Sequence, residues 1–323
     1  MRKRNYSILF FVILIFVMAI VLAPKEIVHY AKSYRLSGMP TQRQEIAAAI
    51  LNDKFYVIGG IDKDRNATDI VEIYDPKSDK WAASKPLPKK LHHVGAAVYQ
   101  DKIYVIGGYT TQNGNFVAVN DVYEFDGNTW TAKRHMPTAR GALGAAAYNG
   151  KIYAIGGSNG SISLPIVEIY NPVKDEWTEA SPMNFPRDHL AVIEANNRIY
   201  AIGGRISDAW PFKNLGKIEE YNPDEDKWKL LNEQIKARSG IAAAAINNRI
   251  YLFGGESPLN VYSDFEVYAP SEIKKLGRLN VRLMSRHGAS AIGYKDNIYI
   301  IGGALKSGYG ATNLTEIVDI KIN

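Results

Sequence analysis

The side chains in this sequence that could carry chemistry are few and far apart: Glu45, the pair His92-His93, His189 and Arg205, with Trp210 five residues behind the arginine. Imidazoles and carboxylates hold transition metals or move protons near neutral pH. An arginine beside an aromatic face suits a sugar acid, because the guanidinium forks onto the carboxylate while the flat ring stacks on CH groups. None of these residues stands in a catalytic signature. The chain has no H-E-x-x-H, no G-x-S-x-G and no phosphate-binding glycine loop in the right context. The sequence therefore assigns no catalytic residue, no metal and no cofactor. Whether these groups meet at all depends on the elements that carry them.

Those elements are repeats. Double glycines fall at Gly59-Gly60, Gly107-Gly108, Gly156-Gly157, Gly203-Gly204, Gly254-Gly255 and Gly302-Gly303, in steps of 48, 49, 47, 51 and 48 residues. Before each pair runs a segment such as K-I-Y-V-I, apolar on both alternating sets of side chains, which is the pattern of a strand buried on both faces. Upstream lie runs of small residues, Ala47-Ala48-Ala49 and Ala242-Ala243-Ala244 among them, followed at a fixed offset by two-residue turn signals such as Asn52-Asp53 and Asn247-Asn248. Alanine favours helix by propensity, yet the turn signals make each unit a hairpin whose inner strand has room only for small side chains. A period near 50 residues marks propeller blades.

On these features the chain resembles the kelch-repeat β-propellers, from about residue 33 to the C-terminus. The resemblance implies an all-β, six-bladed propeller over residues 24–323, following a separate segment at residues 1–23. Four blades carry an outer-strand tryptophan, Trp81, Trp130, Trp177 and Trp228, but the last repeat ends after its third strand. Ser33-Tyr34-Arg35-Leu36 has the spacing of the missing strand, so the N-terminal stretch, about residues 30–37, is expected to complete blade six and leave no open edge. An arginine opens the inner strand of five blades (Arg43, Arg140, Arg187, Arg238, Arg286) and a glutamate opens the third strand of the same five (Glu72, Glu168, Glu219, Glu266, Glu316). Blade two has Leu91 and Tyr123 instead, and the joint loss predicts an Arg–Glu pair inside each other blade.

In this register His93 and His189 share one repeat position in blades two and four, and Glu45 holds it in blade one. All three are expected at one channel mouth, either as a metal or acid–base set or, more plainly, as polar lining of a wet opening. The loops after the glycines vary most, with steps of 12, 15, 11, 15, 11 and 13 residues from the second glycine to the glutamate position. Ligand contacts belong on such loops. Candidate binding residues are Arg205, Trp210, His93, His189, Glu45, Tyr109 and Tyr309, with Phe116 and Tyr262 in equivalent loops.

Composition narrows the partners. The formal charge of +6 owes three units to Arg2, Lys3 and Arg4, leaving 36 basic against 33 acidic residues with no basic cluster, so nucleic acid is not an expected partner. Cysteine is absent, which excludes disulfides, thiolate metal sites, a thiol nucleophile and a lipoprotein anchor. It also excludes the Cys–Tyr crosslink of the copper oxidases that share kelch-like repeats. Residues 8–23 are sixteen uninterrupted apolar residues behind a basic start. That length lies between a signal-peptide core and a spanning helix, and Pro24 would be a poor first mature residue after Val21-Leu22-Ala23. The expectation is an uncleaved anchor with the propeller outside the cytoplasm, the alternative being a secreted or periplasmic protein. Two functions fit: a module that binds a protein or glycan through its long-loop face, or a sugar-active enzyme resembling the periplasmic kelch propeller N-acetylneuraminate epimerase.

Overall fold

Each repeat folds as its pattern dictates, into a twisted four-stranded antiparallel sheet with the small-residue strand innermost. The computed structural model describes residues 28–208, 211–270 and 274–321. The apolar segment at residues 8–23 and Trp210 lie outside the described residues, and among those described there is no α-helix. Blade one runs outward through Ala47–Leu51, Lys54–Ile58, Val71–Asp75 and Lys80–Ala83, and blades two to five repeat that order. In blades one to five the inner hairpin turns use left-handed backbone at both residues, as at Asn52 (φ 51°) and Asp53 (φ 60°), which matches the strand twist.

Ring closure is as the spacing predicts. Lys32–Arg35 pairs antiparallel with Thr315–Asp319 as the outer strand of blade six. One strand lies beyond the expected pattern: Val28–Tyr30 pairs parallel with Lys274–Asn280, adding a fifth strand to blade five. The N-terminal stretch thus touches two blades in succession.

Six apolar clusters hold the ring together, each spanning two neighbouring blades. Phe55 and Tyr74 of blade one, for example, pack on Tyr299 and Ile301 of blade six. Burying each such side chain is worth about 1.5–3 kcal/mol. At the rim the outer tryptophans reach back one blade: Trp81 Nε1 donates to the Ser37 carbonyl at 2.9 Å and Trp177 Nε1 to that of Arg134 at 2.9 Å. Beside them, Tyr170 Oη donates to Asp175 at 2.6 Å, and the same carboxylate accepts the Arg134 N–H at 2.8 Å.

The glycine pairs bring the backbones of neighbouring blades into contact. The Gly108 N–H donates to the Arg140 carbonyl of the next blade at 2.9 Å, and a Cβ on Gly107 would stand 2.5 Å from that same oxygen. Glycine is required because the backbones must approach this closely at positive φ.

Every expected Arg–Glu pair forms. Arg43 and Glu72 are 2.7 Å apart, Arg286 and Glu316 2.5 Å, and Arg238 and Glu266 3.6 Å, while Arg140–Glu168 and Arg187–Glu219 are closer still. The five guanidiniums are fully buried, and those of Arg43, Arg140 and Arg187 also donate to glycine carbonyls, as Arg43 Nη1 does to Gly59 O at 2.6 Å. In blade two Tyr123 takes the glutamate's place, and the adjacent Glu124 pairs at the other end of the strand with Tyr104 Oη (2.5 Å) and Lys102 Nζ (2.7 Å).

Candidate functional site

The residue two places after each arginine position faces the axis. These six residues, Glu45, His93, Ala142, His189, Gly240 and Gly288, all have left-handed backbone, with φ between 51° and 62°. That conformation aims each N–H at the carbonyl of the equivalent residue one blade earlier. The result is a closed ring of six backbone hydrogen bonds: His93 N to Glu45 O (3.0 Å), Ala142 to His93 (2.9 Å), His189 to Ala142 (2.9 Å), Gly240 to His189 (2.9 Å), Gly288 to Gly240 (3.0 Å) and Glu45 to Gly288 (2.8 Å). Three members carry small or no side chains; the other three place Glu45, His93 and His189 together at the mouth.

The rings of His93 and His189 meet edge to face with centroids 4.8 Å apart, and His93 Nε2 lies 3.3 Å from Glu45 Oε2. The other Glu45 oxygen is 3.2 Å from His287 Nδ1, whose ring reaches Glu256 at 3.5 Å through Nε2. Glu256 faces Arg205 at 3.4 Å, and Arg205 Nε donates to Asp188 Oδ1 at 3.0 Å. Asp188 Oδ1 is 2.5 Å from His189 Nδ1, which closes the circuit. Blades one, two, four, five and six each give ionisable groups, and blade three contributes the Ser163 hydroxyl, which donates to Asp188.

Burial sets the charges in this circuit. It works against the Glu45 carboxylate, but His93, the hydrogen bond and charge of His287, and His189 outweigh it and hold the acid well below the usual carboxylate range. Burial also depresses His93 well below its ordinary value; Glu45 opposes this, and His189, His92 and Arg205 reinforce it. His92 is pushed down to about 4, chiefly by burial. His287 goes the other way, because the hydrogen bond and charge of Glu45, together with Glu256 and the Lys306 carbonyl, more than offset its burial. Asp188 stays ionised against its burial through His189, Arg205 and Ser163. Glu45 and His287 thus pair carboxylate to imidazole at 3.2 Å, while burial favours the neutral forms of His92 and His93.

Above the circuit opens a cavity of about 280 Å³ lined by the candidate residues Glu45, His93, His189, Arg205 and Tyr309, with Phe116, Glu256 and His287. Tyr309 is 53% exposed and Phe116 49%, so both are open to a partner. Tyr109 is not: it is buried against His92 and His93, its hydroxyl donates to the Ser158 carbonyl at 3.0 Å, and burial raises its pKa to about 12. Arg205 is committed on several sides, to Asp188, Glu256, the His189 ring (Nη2 to Nε2, 3.2 Å) and the face of Phe212.

Sequence reasoning missed Asp188, Glu256 and His287. The signal was present one column away: Asp188 and His287 hold the repeat position of His92, and Glu256 holds that of Tyr109 and Arg205, the first residue after the glycines.

A closed ring of six four-stranded sheets, each tied to the next through a double glycine and five of them carrying a buried Arg–Glu pair, defines a six-bladed kelch-type β-propeller. Residues 31–187 match the KLHDC2/KLHL20/DRC7 kelch-repeats domain, and residues 186–233 and 237–272 match the Kelch motif. The chain belongs to the kelch-repeat propeller family. It is also similar to an F-box/kelch-repeat protein of Arabidopsis thaliana, 49% identical over 47 residues, which is 15% of this chain and 12% of that protein. That match is about one repeat long and bears on the repeat alone.

Proposed function

We propose that this chain is a binding module, held at a membrane by residues 8–23 with its propeller outside the cytoplasm, that takes a protein or glycan partner on its long-loop face. One observation carries the reading. Six of the ten exposed large apolar side chains among the described residues, Phe116, Val117, Ile162, Leu259, Leu305 and Tyr309, stand on loops that follow the glycine pairs, and Phe116 and Tyr309 line the cavity at the channel mouth. A rigid scaffold presenting aromatic and aliphatic groups beside a polar pocket suits recognition. Kelch propellers are commonly protein-interaction modules, which favours a protein partner. Arg205 stands on this face and lines the cavity, and Trp210, five residues on in the sequence, is proposed to serve the same surface.

The test is capture from envelope extracts, and binding on a glycan array, by the full-length protein against its Phe116→Ser/Tyr309→Ser variant. Val173, 75% exposed in a turn at the opposite end of blade three, provides the control as Val173→Ser. A ligand retained by the control and lost by the double variant supports the reading, and the reverse pattern contradicts it. An anomerisation assay on N-acetylneuraminate is the counter-test: acceleration abolished by Glu45→Gln would move the assignment from recognition to sugar chemistry. For the anchor, mass spectrometry of the membrane fraction should find Met1 to Ala23 retained, and an N-terminus near Pro24 would make the protein secreted.

A further inference from the structure

We infer that Glu45, His93 and His189 form a site for one divalent transition-metal ion of the Zn²⁺ type on the propeller axis. One ligand atom from each residue lies within 4.8 Å of the other two. Two imidazole nitrogens and a carboxylate oxygen are a donor set of three-ligand zinc centres, which leave a further position open. With bonds of about 2.0–2.2 Å, donors around a tetrahedral ion stand roughly 3.3–3.6 Å apart. The Glu45–His93 separation of 3.3 Å already meets that spacing. His189 needs a shift on the order of an ångström, which a side-chain rotation supplies.

The surroundings are those a metal site requires. Ligating histidines are held by a hydrogen bond to the ring nitrogen that does not bind. His189 Nδ1 is held by Asp188 Oδ1 at 2.5 Å, and His93 Nδ1 by His92 Nδ1 at 2.5 Å, so both rings turn Nε2 toward the axis. Arg205 has only donors, so its 3.2 Å contact makes His189 Nε2 the acceptor, with its lone pair available. An ion would displace that one contact while Arg205 keeps Asp188 and Glu256.

The backbone supplies an independent argument. Glycine occupies this left-handed position in blades five and six without strain, and Ala142 holds it in blade three with the smallest side chain, whereas Glu45, His93 and His189 hold it with large polar ones at φ 52°, 54° and 51°. Non-glycine residues there cost roughly 1 kcal/mol or more each, and such strain gathers at functional sites. Gly288 completes the fit: a Cβ there would stand 2.4 Å from Glu45 Oε1, so its absence makes the space the carboxylate fills. The ring positions without large side chains, Ala142 and Gly240, leave the ion open to water or to a donor atom from the cavity above. This site does not depend on which partner docks.

The test uses full-length protein in detergent, without a histidine tag and stripped by chelator, titrated with Zn²⁺ alone by calorimetry and with Co²⁺ alone by visible absorption. The wild type should bind one ion per chain, show the strong absorption of a low-coordinate Co²⁺ site, and melt higher with Zn²⁺ present. His93→Ala and His189→Ala should each bind at least about tenfold more weakly and lose the Co²⁺ band. His135→Ala, whose ring is exposed on the blade rim, should bind as the wild type does. Should either alanine variant fail to fold, Glu45→Gln, which keeps the shape and removes the charge, is held to the same tenfold loss. Wild-type protein that takes up no stoichiometric Zn²⁺, or variants that bind it undiminished, would overturn the assignment.

Discussion

His93 and His189 are separated by a whole blade, yet their rings touch edge to face with centroids 4.8 Å apart. The contact exists because both occupy the repeat position whose left-handed backbone joins the hydrogen-bonded ring around the axis. Distance along the chain is thereby converted into proximity at the mouth. Disturbing the ring should therefore disturb the site. Gly288→Ala puts a Cβ against the Glu45 carboxylate and should lower stability by about 1 kcal/mol or more, measured by urea unfolding. A neutral result would show that the carboxylate relocates freely.

The buried Arg–Glu pairs give a prediction with a built-in control. Glu168→Ala strands the Arg140 guanidinium in the core and should cost about 3–5 kcal/mol. Blade two solves the same position with Leu91 and Tyr123, so Arg140→Leu combined with Glu168→Tyr should recover most of the loss. Denaturant midpoints of the single and double variants decide the matter, and a double variant no better than the single would show that blade three cannot use blade two's packing.

Closure by the N-terminal strand predicts that deleting residues 28–36 lowers the melting temperature and promotes aggregation. The deletion exposes Thr315–Asp319 as an edge strand. A deletion variant that melts with the wild type would mean that blade packing alone holds the ring.

The rim aspartates set an acid limit on stability. Burial raises the pKa of Asp175, but the Tyr170 hydroxyl, the Arg134 N–H and the charges of Lys133 and Arg134 outweigh it, so the folded value lies below the ordinary one. A carboxyl depressed on folding contributes stability that is present above its unfolded pKa, about 3.9, and lost as pH falls through the folded value. Asp79 and Asp226 repeat the arrangement. Asp175→Asn should therefore melt below the wild type at pH 7, and the gap should close as the pH falls below about 4. A gap that persists unchanged in acid would assign the effect to shape rather than charge.

The blades, the Arg–Glu pairs and the strand that closes the ring were legible because each recurs, and recurrence exposes a position's physical demand even when its residue is unusual. The Glu45, His93 and His189 convergence was legible for the same reason. Asp188, Glu256 and His287 were not, since their columns vary from blade to blade, Gln44, His92, Gly141, Asp188, Ser239 and His287 in one of them, and so varied a column shows no common demand. Arg205 reads in sequence as a loop arginine free to fork onto a ligand; folding spends its donors on Asp188, Glu256 and His189. Tyr109 reads as a loop aromatic like Tyr309, but blade two's pair of histidines gives it a surface to pack on. The fifth strand of blade five arises from pairing between distant segments, which no local pattern records.

Photo-crosslinking in the living cell measures directly whether partners meet the long-loop face. A photoreactive amino acid placed at Phe116, Leu259 or Tyr309 should give a discrete crosslinked product, and the same group at Val173 on the short-turn face or Tyr34 on the rim should give none. Products that form from Val173 or Tyr34 while the three loop positions stay silent would contradict docking on the long-loop face.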